Sequence, residues 1–239
     1  TFTGYYESEG CDERPYARLV AGPEHHEILI TPHDFVDNFD AMLTKIRPPF
    51  QGMGTFGQYM VGQYLDAAGI KVAISGEGGD ELFGGYARLL IVAGEDPPPG
   101  YEEYDLPYGY PLELSAALAY DFERLPDLLD VDDQCMSAHG IEARAPFTDL
   151  RLIAWVLAQD PRERVGKRML KEAVRGLVPN VILARRDKMG FPIPLVAWAQ
   201  KQPCRDFIGD RLGYLPDADK PWERGWWLEL CGQPAAVAA

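Results

Sequence analysis

The residues best suited to chemistry lie in one short run, Ser75-Gly76-Glu77-Gly78-Gly79-Asp80-Glu81. Its glycines allow the backbone to turn sharply and to approach a ligand closely, so that N–H groups can bind phosphate. Ser75 adds a hydroxyl group, and three carboxylates follow it in the same turn. Carboxylates crowded together repel one another unless a cation or a substrate lies among them. The run therefore indicates a binding site, although many glycine-rich turns between a strand and a helix bind nothing.

The elements around this turn predict an α/β fold. The apolar run at residues 71–74 predicts a buried strand, and Asp80 and Glu81 predict a helix start, where the helix dipole favours carboxylates. A strand, a glycine turn and a helix form the place where open α/β sheets bind nucleotides. Upstream, predicted strands at residues 2–6 and 27–31 alternate with helices, which is typical of a parallel sheet with crossover helices.

The pattern changes after this core. We predict a partial nucleotide-binding α/β core at residues 1–94 and a mobile loop rich in Pro, Gly and Tyr at residues 95–111. Only helical patterns follow, so residues 112–233 are expected to form a mainly helical part. Residues 234–239 are of low complexity and are expected to fray.

Bulk properties exclude several classes of partner. A net charge of -14 over 239 residues argues against nucleic acid, which needs a basic face. No apolar run is long enough to cross a bilayer, so we expect no membrane partner. The four cysteines are scattered without disulfide-scaffold or metal-ligand spacing, which favours a reducing, cytoplasmic setting.

Three further groups could carry chemistry. Lys167 is predicted at a helix start, where the dipole disfavours a cation, so we expect an anion to compensate it. The run His25-His26-Glu27 could suggest a metal site, but adjacent strand residues point to opposite faces, and packing is the favoured interpretation. Glu142 and Arg144 are consistent with a structural ion pair.

The full turn, Ser75 to Tyr86, closely resembles the SGEGxDELFGGY signature of the synthetase domain of glutamine-hydrolysing asparagine synthetases. Three later blocks resemble the same family in the same order: residues 133–149, 167–172 and 186–194. Thr148 and Lys171 depart from it, since leucine and arginine are usual there. The resemblance implies an ATP pyrophosphatase fold, of the adenine nucleotide α-hydrolase type, that adenylates a carboxylate.

The resemblance also implies roles for individual residues. Ser75 and Gly76 would hold the nucleotide, and the backbone of Gly4 would contact adenine. Asp80 would bind Mg²⁺, which prefers hard oxygen ligands.

The implied catalytic residues are Glu77 and Lys167. Glu77 would act near the reacting carboxylate, and Lys167 would contact ATP phosphate. The implied reaction joins aspartate and ATP into β-aspartyl-AMP, from which ammonia displaces AMP to give asparagine.

Two parts of the resembled enzymes have no match in these residues. No Ser-Gly-Gly-x-Asp-Ser run, the family's pyrophosphate loop, occurs in the sequence, and no glutaminase domain is present. Cys11 lies in an acidic turn and cannot replace the glutaminase cysteine. Because the sequence opens at Thr1 in an apparent strand, we expect a fragment, a processed piece or a split subunit. A segment carrying both parts is expected in cis or as a companion chain, and a homodimer is possible.

Two other functions stay open at this point. One is a related carboxylate-adenylating enzyme, such as a β-lactam synthetase or a peptide cyclase; Glu77 and the unbroken turn favour ammonia over ring closure. The other is a non-catalytic subunit or a remnant that needs a companion. The sequence leaves open the acceptor substrate, the nitrogen source and the oligomeric state.

Overall fold

A computed structural model describes residues 1–7, 12–47, 52–99, 101, 106–186, 190–191, 193–216 and 224–232. The chain divides into two compact units that interleave along the sequence. Unit 1 comprises Thr1–Ala73, Val131–Glu142 and Gly190–Ala239, and unit 2 comprises Ile74–Asp130 and Ala143–Met189. The predicted boundaries at residues 94, 111 and 233 stay predictions, and the compact units divide the chain differently.

In chain order the described elements are β1 (Phe2–Tyr5), α1 (Arg14–Val20), β2 (His26–Leu29), α2 (Pro32–Lys45), α3 (Gly54–Ala67), β3 (Val72–Ile74), α4 (Gly79–Phe83), α5 (Ala87–Val92), α6 (Leu114–Phe122), α7 (Leu125–Ser137), β4 (Glu142–Arg144), α8 (Leu150–Leu157), α9 (Pro161–Arg164), α10 (Arg168–Ala173), α11 (Asn180–Leu183), α12 (Leu195–Trp198), α13 (Cys204–Leu212) and α14 (Arg224–Leu230). Short 3₁₀ turns cover Pro146–Thr148 and Val165–Lys167. None of the helices in the described ranges is long and apolar enough to cross a membrane.

Unit 1 begins with a parallel strand pair. β1 pairs with β2 in a register that runs from Phe2 opposite His26 to Tyr5 opposite Leu29. α2 then starts at a capping box, in which Thr31 and Asp34 bond each other's backbone N–H groups. The predicted strands at residues 2–6 and 27–31, and the helix that follows them, are confirmed.

The core of unit 1 is aromatic. α2 buries Phe35, Phe39 and Met42 completely, at the helical spacing that the sequence shows. Phe35 packs edge-on against Phe56 of α3, with ring centroids 5.0 Å apart, and Phe39 packs against Trp227. Long-range aromatic contacts thus join the first and last described parts of this unit.

The prediction that β3 is a buried strand is wrong. β3 forms, but Val72 is 42 % exposed and Ile74 is 77 % exposed. β3 pairs only with β4 among the described strands, so two small two-stranded sheets replace the single sheet that we expected. An apolar run buries its side chains only where other elements cover both faces of the strand.

The strand β4 also corrects the expectation of helices alone after residue 112. Glu142 N–H donates to the Lys71 carbonyl, and Ser75 N–H donates to the Arg144 carbonyl, both at 2.9 Å. Because these bonds advance along both strands in the same direction, β3 and β4 run parallel. Glu-Ala-Arg has little intrinsic strand preference, so pairing with β3 decides its conformation.

Unit 2 is mainly helical, and its core lies around α4. Leu82 and Phe83 are buried with Val156 of α8. A second cluster joins Leu89 and Leu118 with Val165. α4 is thus fixed on its apolar side, and its N-terminal end carries the glycine turn.

Part of the predicted loop, residues 100 and 102–105, lies outside the described residues. Its described portions contain no helix or strand. The predicted frayed tail at residues 234–239 also lies outside the described residues, as does Cys11.

Candidate functional site

The glycine turn joins β3 to α4 as predicted. Gly78 adopts a left-handed backbone, with φ of 87°, and caps the start of α4. A β-carbon on Gly79 would lie 3.2 Å from the Phe147 ring, so that ring packs directly on the turn. The positive φ strongly favours glycine at 78, and the close approach of Phe147 favours a small residue at 79.

The turn is open on one side. Gly76 is exposed, and a β-carbon built there would meet no atom within 4 Å. Ser75 and Glu77 flank it, both partly exposed. The three residues to which the family resemblance gives roles in binding nucleotide and substrate therefore lie together on an exposed turn of unit 2.

Asp80 and Lys167 form the central ion pair of the candidate site. Lys167 Nζ lies 2.8 Å from Asp80 Oδ1, and the two side chains are 35 % and 28 % exposed, respectively. Lys167 is the residue immediately before α10, at its N-cap position. The structure thus brings together two predicted site residues that are far apart in sequence, and Asp80 is the anion expected to compensate Lys167.

Lys167 has an unusual backbone. Its φ of 59° makes it the one residue other than glycine with positive φ in the described part of the chain. Such a conformation costs on the order of 1–3 kcal/mol, so surrounding contacts must hold it. Strain of this kind concentrates at functional sites, and here it falls on the cation of the candidate site.

Behind the turn lies a buried polar network that the sequence reasoning missed. The Tyr86 hydroxyl donates to Glu81, which is only 2 % exposed. Arg88 stacks its guanidinium 4.0 Å from the centre of the Tyr86 ring and bonds Asp121 at 2.7 Å. The Tyr110 hydroxyl donates to the other oxygen of Asp121, also at 2.7 Å. Glu81 therefore faces inward, unlike Glu77, and belongs to the scaffold.

The pKa shifts in this network follow from its burial. Burial, and then the hydrogen bond to Glu81, raise the pKa of Tyr86 above its usual value of 10.0. Burial alone would lower the pKa of Arg88, but the hydrogen bond and charge of Asp121 raise it overall. These groups keep fixed protonation states near neutral pH, which suits a supporting role. No sequence spacing indicated the Arg88–Asp121 contact.

The family model for asparagine synthase matches residues 1–100 and 113–224, which is most of the chain. The chain belongs to the asparagine synthase family. The sequence resemblance is therefore confirmed at the level of the family.

The chain is also similar to individual proteins named asparagine synthetase. The chain is 26% identical over 204 residues to asparagine synthetase B [glutamine-hydrolyzing] of Escherichia coli, covering 79% of this chain and 30% of that protein. It is 30% identical over 204 residues to a putative asparagine synthetase of Methanocaldococcus jannaschii, covering 84% and 33%. It is 31% identical over 188 residues to the Rattus norvegicus asparagine synthetase, covering 71% and 30%. The chain thus spans about a third of the length of these relatives.

Gly4, the predicted adenine contact, lies on β1 in unit 1. A β-carbon there would come 2.5 Å from Phe191 Cζ, because the Phe191 ring packs on this glycine. Gly57 is approached by the same ring at the same distance. Packing is therefore a sufficient reason for glycine at position 4, and the adenine contact stays a prediction. Within the block at residues 186–194, residues 187–189 and 192 lie outside the described residues.

His25 and His26, near β2, both make contacts within the protein. The His26 ring stacks on Phe2, with centroids 4.8 Å apart, and His25 Nδ1 lies 2.9 Å from the Thr1 hydroxyl. Across the ranges that the structure describes, no group of three or more His, Cys, Asp or Glu side chains could hold a metal ion. Metal binding by Asp80 stays a prediction.

A separate cavity of about 870 Å³ opens beside α8, α10 and α11. It is lined by Trp155, Lys171 and Leu183 among others, but not by Asp80 or Lys167. Burial, and then the charge of Lys167, lower the pKa of Lys171. Lys171, which replaces the usual arginine, thus faces this cavity. We place the candidate site at the glycine turn, where the acidic and basic groups converge.

Proposed function

We propose that this chain is part of the synthetase domain of a glutamine-hydrolysing asparagine synthetase, with an ATP pyrophosphatase core of the adenine nucleotide α-hydrolase type. The Asp80–Lys167 ion pair beside the open glycine turn is the observation that carries the proposal. It brings one cation and one carboxylate together in the unit that also carries the exposed glycine turn. Membership of the asparagine synthase family supports the same function.

In the first step aspartate becomes activated. A side-chain carboxylate oxygen of aspartate attacks the α-phosphorus of ATP, the bond from that phosphorus to the bridging oxygen breaks, and pyrophosphate leaves. Negative charge on the phosphate oxygens rises during the displacement, and a fixed cation stabilises it. Lys167 supplies that cation, while Ser75 and Gly76 hold the nucleotide and the Gly4 backbone contacts adenine.

Asp80 fits a role in binding Mg²⁺. Its carboxylate is a hard oxygen ligand, and Mg²⁺ in such enzymes is often held by one or two carboxylates together with substrate phosphates. When bound, Mg²⁺ would neutralise charge on the phosphates. Asp80 would then be shared between the ion and Lys167.

In the second step the amide forms. Ammonia attacks the carbonyl carbon of β-aspartyl-AMP, the bond from that carbon to AMP oxygen breaks, and a proton leaves the nitrogen. Glu77 and Asp80 are the partly exposed carboxylates of the turn, and Asp80 pairs with Lys167, whereas Glu81 is buried against Tyr86. We assign Glu77 to the reacting carboxylate and to the attack of ammonia.

The proposal includes a further segment. The family's Ser-Gly-Gly-x-Asp-Ser loop does not occur within these 239 residues. We infer that it and a glutaminase segment act in cis or from a companion chain, in a cytoplasmic setting, and a homodimer is compatible with this arrangement.

Release of pyrophosphate that depends on aspartate tests the function. We expect none from the 239 residues alone, and release followed by asparagine formation with ammonia when the upstream segment is present. Robust release by the 239 residues alone would show that the nucleotide site is complete without the loop. Failure of the longer polypeptide to activate aspartate, with activation of another carboxylate instead, would exclude asparagine synthesis.

A further inference from the structure

Arg164 is a buried cation next to the candidate site. It is the last residue of α9 and only 6 % exposed. Its Nε donates to the Leu82 carbonyl at 3.0 Å, while its Nη2 is buried with no hydrogen-bond partner among the described residues. Burial lowers the pKa of this guanidinium. Burying a charge with few hydrogen-bond partners raises the free energy of the folded state. We therefore asked which other contacts this arginine supports.

The contact of Arg164 is with the C-terminal end of α4. The last carbonyls of a helix have no partner within the helix, and a cation there also meets the negative end of the dipole. Leu82 provides the carbonyl that accepts from Arg164. The carbonyl of Gly84, the C-cap residue, accepts from the backbone N–H of Gly166 instead, at 2.8 Å. Between these two bonds, Val165 is fully buried.

These contacts fasten residues 164–166 to one end of α4, whose other end carries Asp80. Lys167 is the next residue, and its strained backbone directs the side chain to Asp80. A free segment would relax such a conformation, because the left-handed region is unfavourable for residues other than glycine. The two bonds to α4 hold the backbone that leads into Lys167.

We propose that Arg164 is a positioning residue that holds Lys167 against Asp80 by anchoring residues 164–166 to the C-terminal end of α4. The expected effect of Arg164 on the rate of aspartate activation rests on the function proposed above. Its expected effect on the position of Lys167 does not. Arg164 acts through Lys167 and touches no reacting atom. Displacement of a catalytic group by 1 Å can lower a rate by about 100-fold.

The test uses Arg164→Met in the full-length polypeptide, with Arg162→Met as the matched control. Arg162 lies on the same helix, is exposed, and contributes its backbone rather than its side chain to the contacts seen here. The first measurement is the rate of reductive methylation of Lys167, followed by mass spectrometry. We expect about fivefold faster methylation in Arg164→Met, the change expected from loss of a partly exposed ion pair.

The second measurement is aspartate-dependent pyrophosphate release. We expect kcat to fall about 10- to 100-fold in Arg164→Met, with KM for ATP and aspartate changed less than about threefold. Arg162→Met should match the wild type in both measurements. If the wild type releases no pyrophosphate, the proposed function fails, while the methylation rates still decide the role of Arg164.

A folded Arg164→Met protein, with wild-type circular dichroism and wild-type methylation of Lys167, would overturn the proposal. Should that variant fail to fold, Arg164→Gln replaces it, because its neutral amide is shorter but still polar. Faster methylation of Lys167 in folded Arg164→Gln supports the positioning role. A wild-type rate in that protein rejects it.

Discussion

Gly85 lies so close to Asp80 that any β-carbon on residue 85 would overlap the carboxylate. The built β-carbon clashes with Asp80 Oδ1 and Lys167 Cε and lies 2.8 Å from Asp80 Cγ. The Gly85 N–H also donates to the Asp80 carbonyl at 2.9 Å. The second glycine of the Gly-Gly-Tyr run thus leaves the space in which the ion pair forms.

Gly85→Ala should separate Asp80 from Lys167. The added methyl group must displace one of the two side chains, and overpacking of this kind costs about 1–3 kcal/mol. We expect a lower free energy of unfolding in urea and a large loss of pyrophosphate release. Gly22→Ala is the control, because a β-carbon there meets nothing within 4 Å. Wild-type stability and activity in Gly85→Ala would contradict the observed packing.

Lys167→Ala should slow the activation of aspartate. Removing one preorganised electrostatic stabiliser costs about 3–4 kcal/mol in the transition state. Single-turnover measurement of pyrophosphate release separates this step from product release. Arg168→Ala, one residue further along and paired with Glu95, should have little effect. Equal single-turnover rates for Lys167→Ala and wild type would remove Lys167 from the mechanism.

Asp80→Asn should raise the concentration of Mg²⁺ that the reaction needs. An amide oxygen is a weaker ligand for Mg²⁺ than a carboxylate, so the Mg²⁺ concentration for half-maximal rate should rise. The variant also frees Lys167, which should then be methylated faster, as Lys167 loses its 2.8 Å partner. Asp149→Asn, at the start of α8, provides a control carboxylate in the same unit. Superimposable Mg²⁺ titrations of wild type and Asp80→Asn would exclude Asp80 as a ligand.

Glu77→Gln should nearly abolish asparagine formation while changing ATP affinity little. The substitution keeps the size of the side chain and removes its charge near the reacting carboxylate. ATP binding is measured by equilibrium titration, and asparagine by its accumulation with ammonia as nitrogen source. Normal turnover in this variant would refute the role given to Glu77.

His139 should make unit 1 sensitive to mild acid. Its ring packs on Tyr59, with centroids 4.5 Å apart. Burial, and then the charge of Lys45, lower the pKa of His139 below 6.5, although a hydrogen bond from the ring to the Tyr59 backbone and the charge of Asp66 oppose the shift. The unfolded chain binds the proton more readily than the folded protein. The free energy of unfolding therefore keeps its full value above the pKa of His139 in the unfolded chain and falls as the pH drops below that pKa.

The measurement is the urea midpoint between about pH 7 and pH 5, where histidine titrates. We expect the midpoint to fall with pH in the wild type, and to fall less in His139→Gln. His33→Gln, on the exposed side of α2, should keep the wild-type profile. Identical pH profiles for His139→Gln and wild type would show that His139 does not contribute.

The sequence by itself determined the features that depend on neighbouring residues. The buried stripe of Phe35, Phe39 and Met42 follows from helical periodicity. The turn at Gly78 follows from a left-handed backbone that glycine alone adopts easily. The family motifs are also local runs, which is why the resemblance could be found without coordinates.

The tertiary structure decided every relation between distant residues. The pairing of Lys167 with Asp80, the anchoring of Arg164 on α4 and the approach of Lys167 to Gly85 each join segments that no local pattern connects. The exposure of Ile74 also departs from its apolar sequence context. The physical reason is that burial and ion pairing depend on which elements meet in space, whereas periodicity and propensity describe one element at a time.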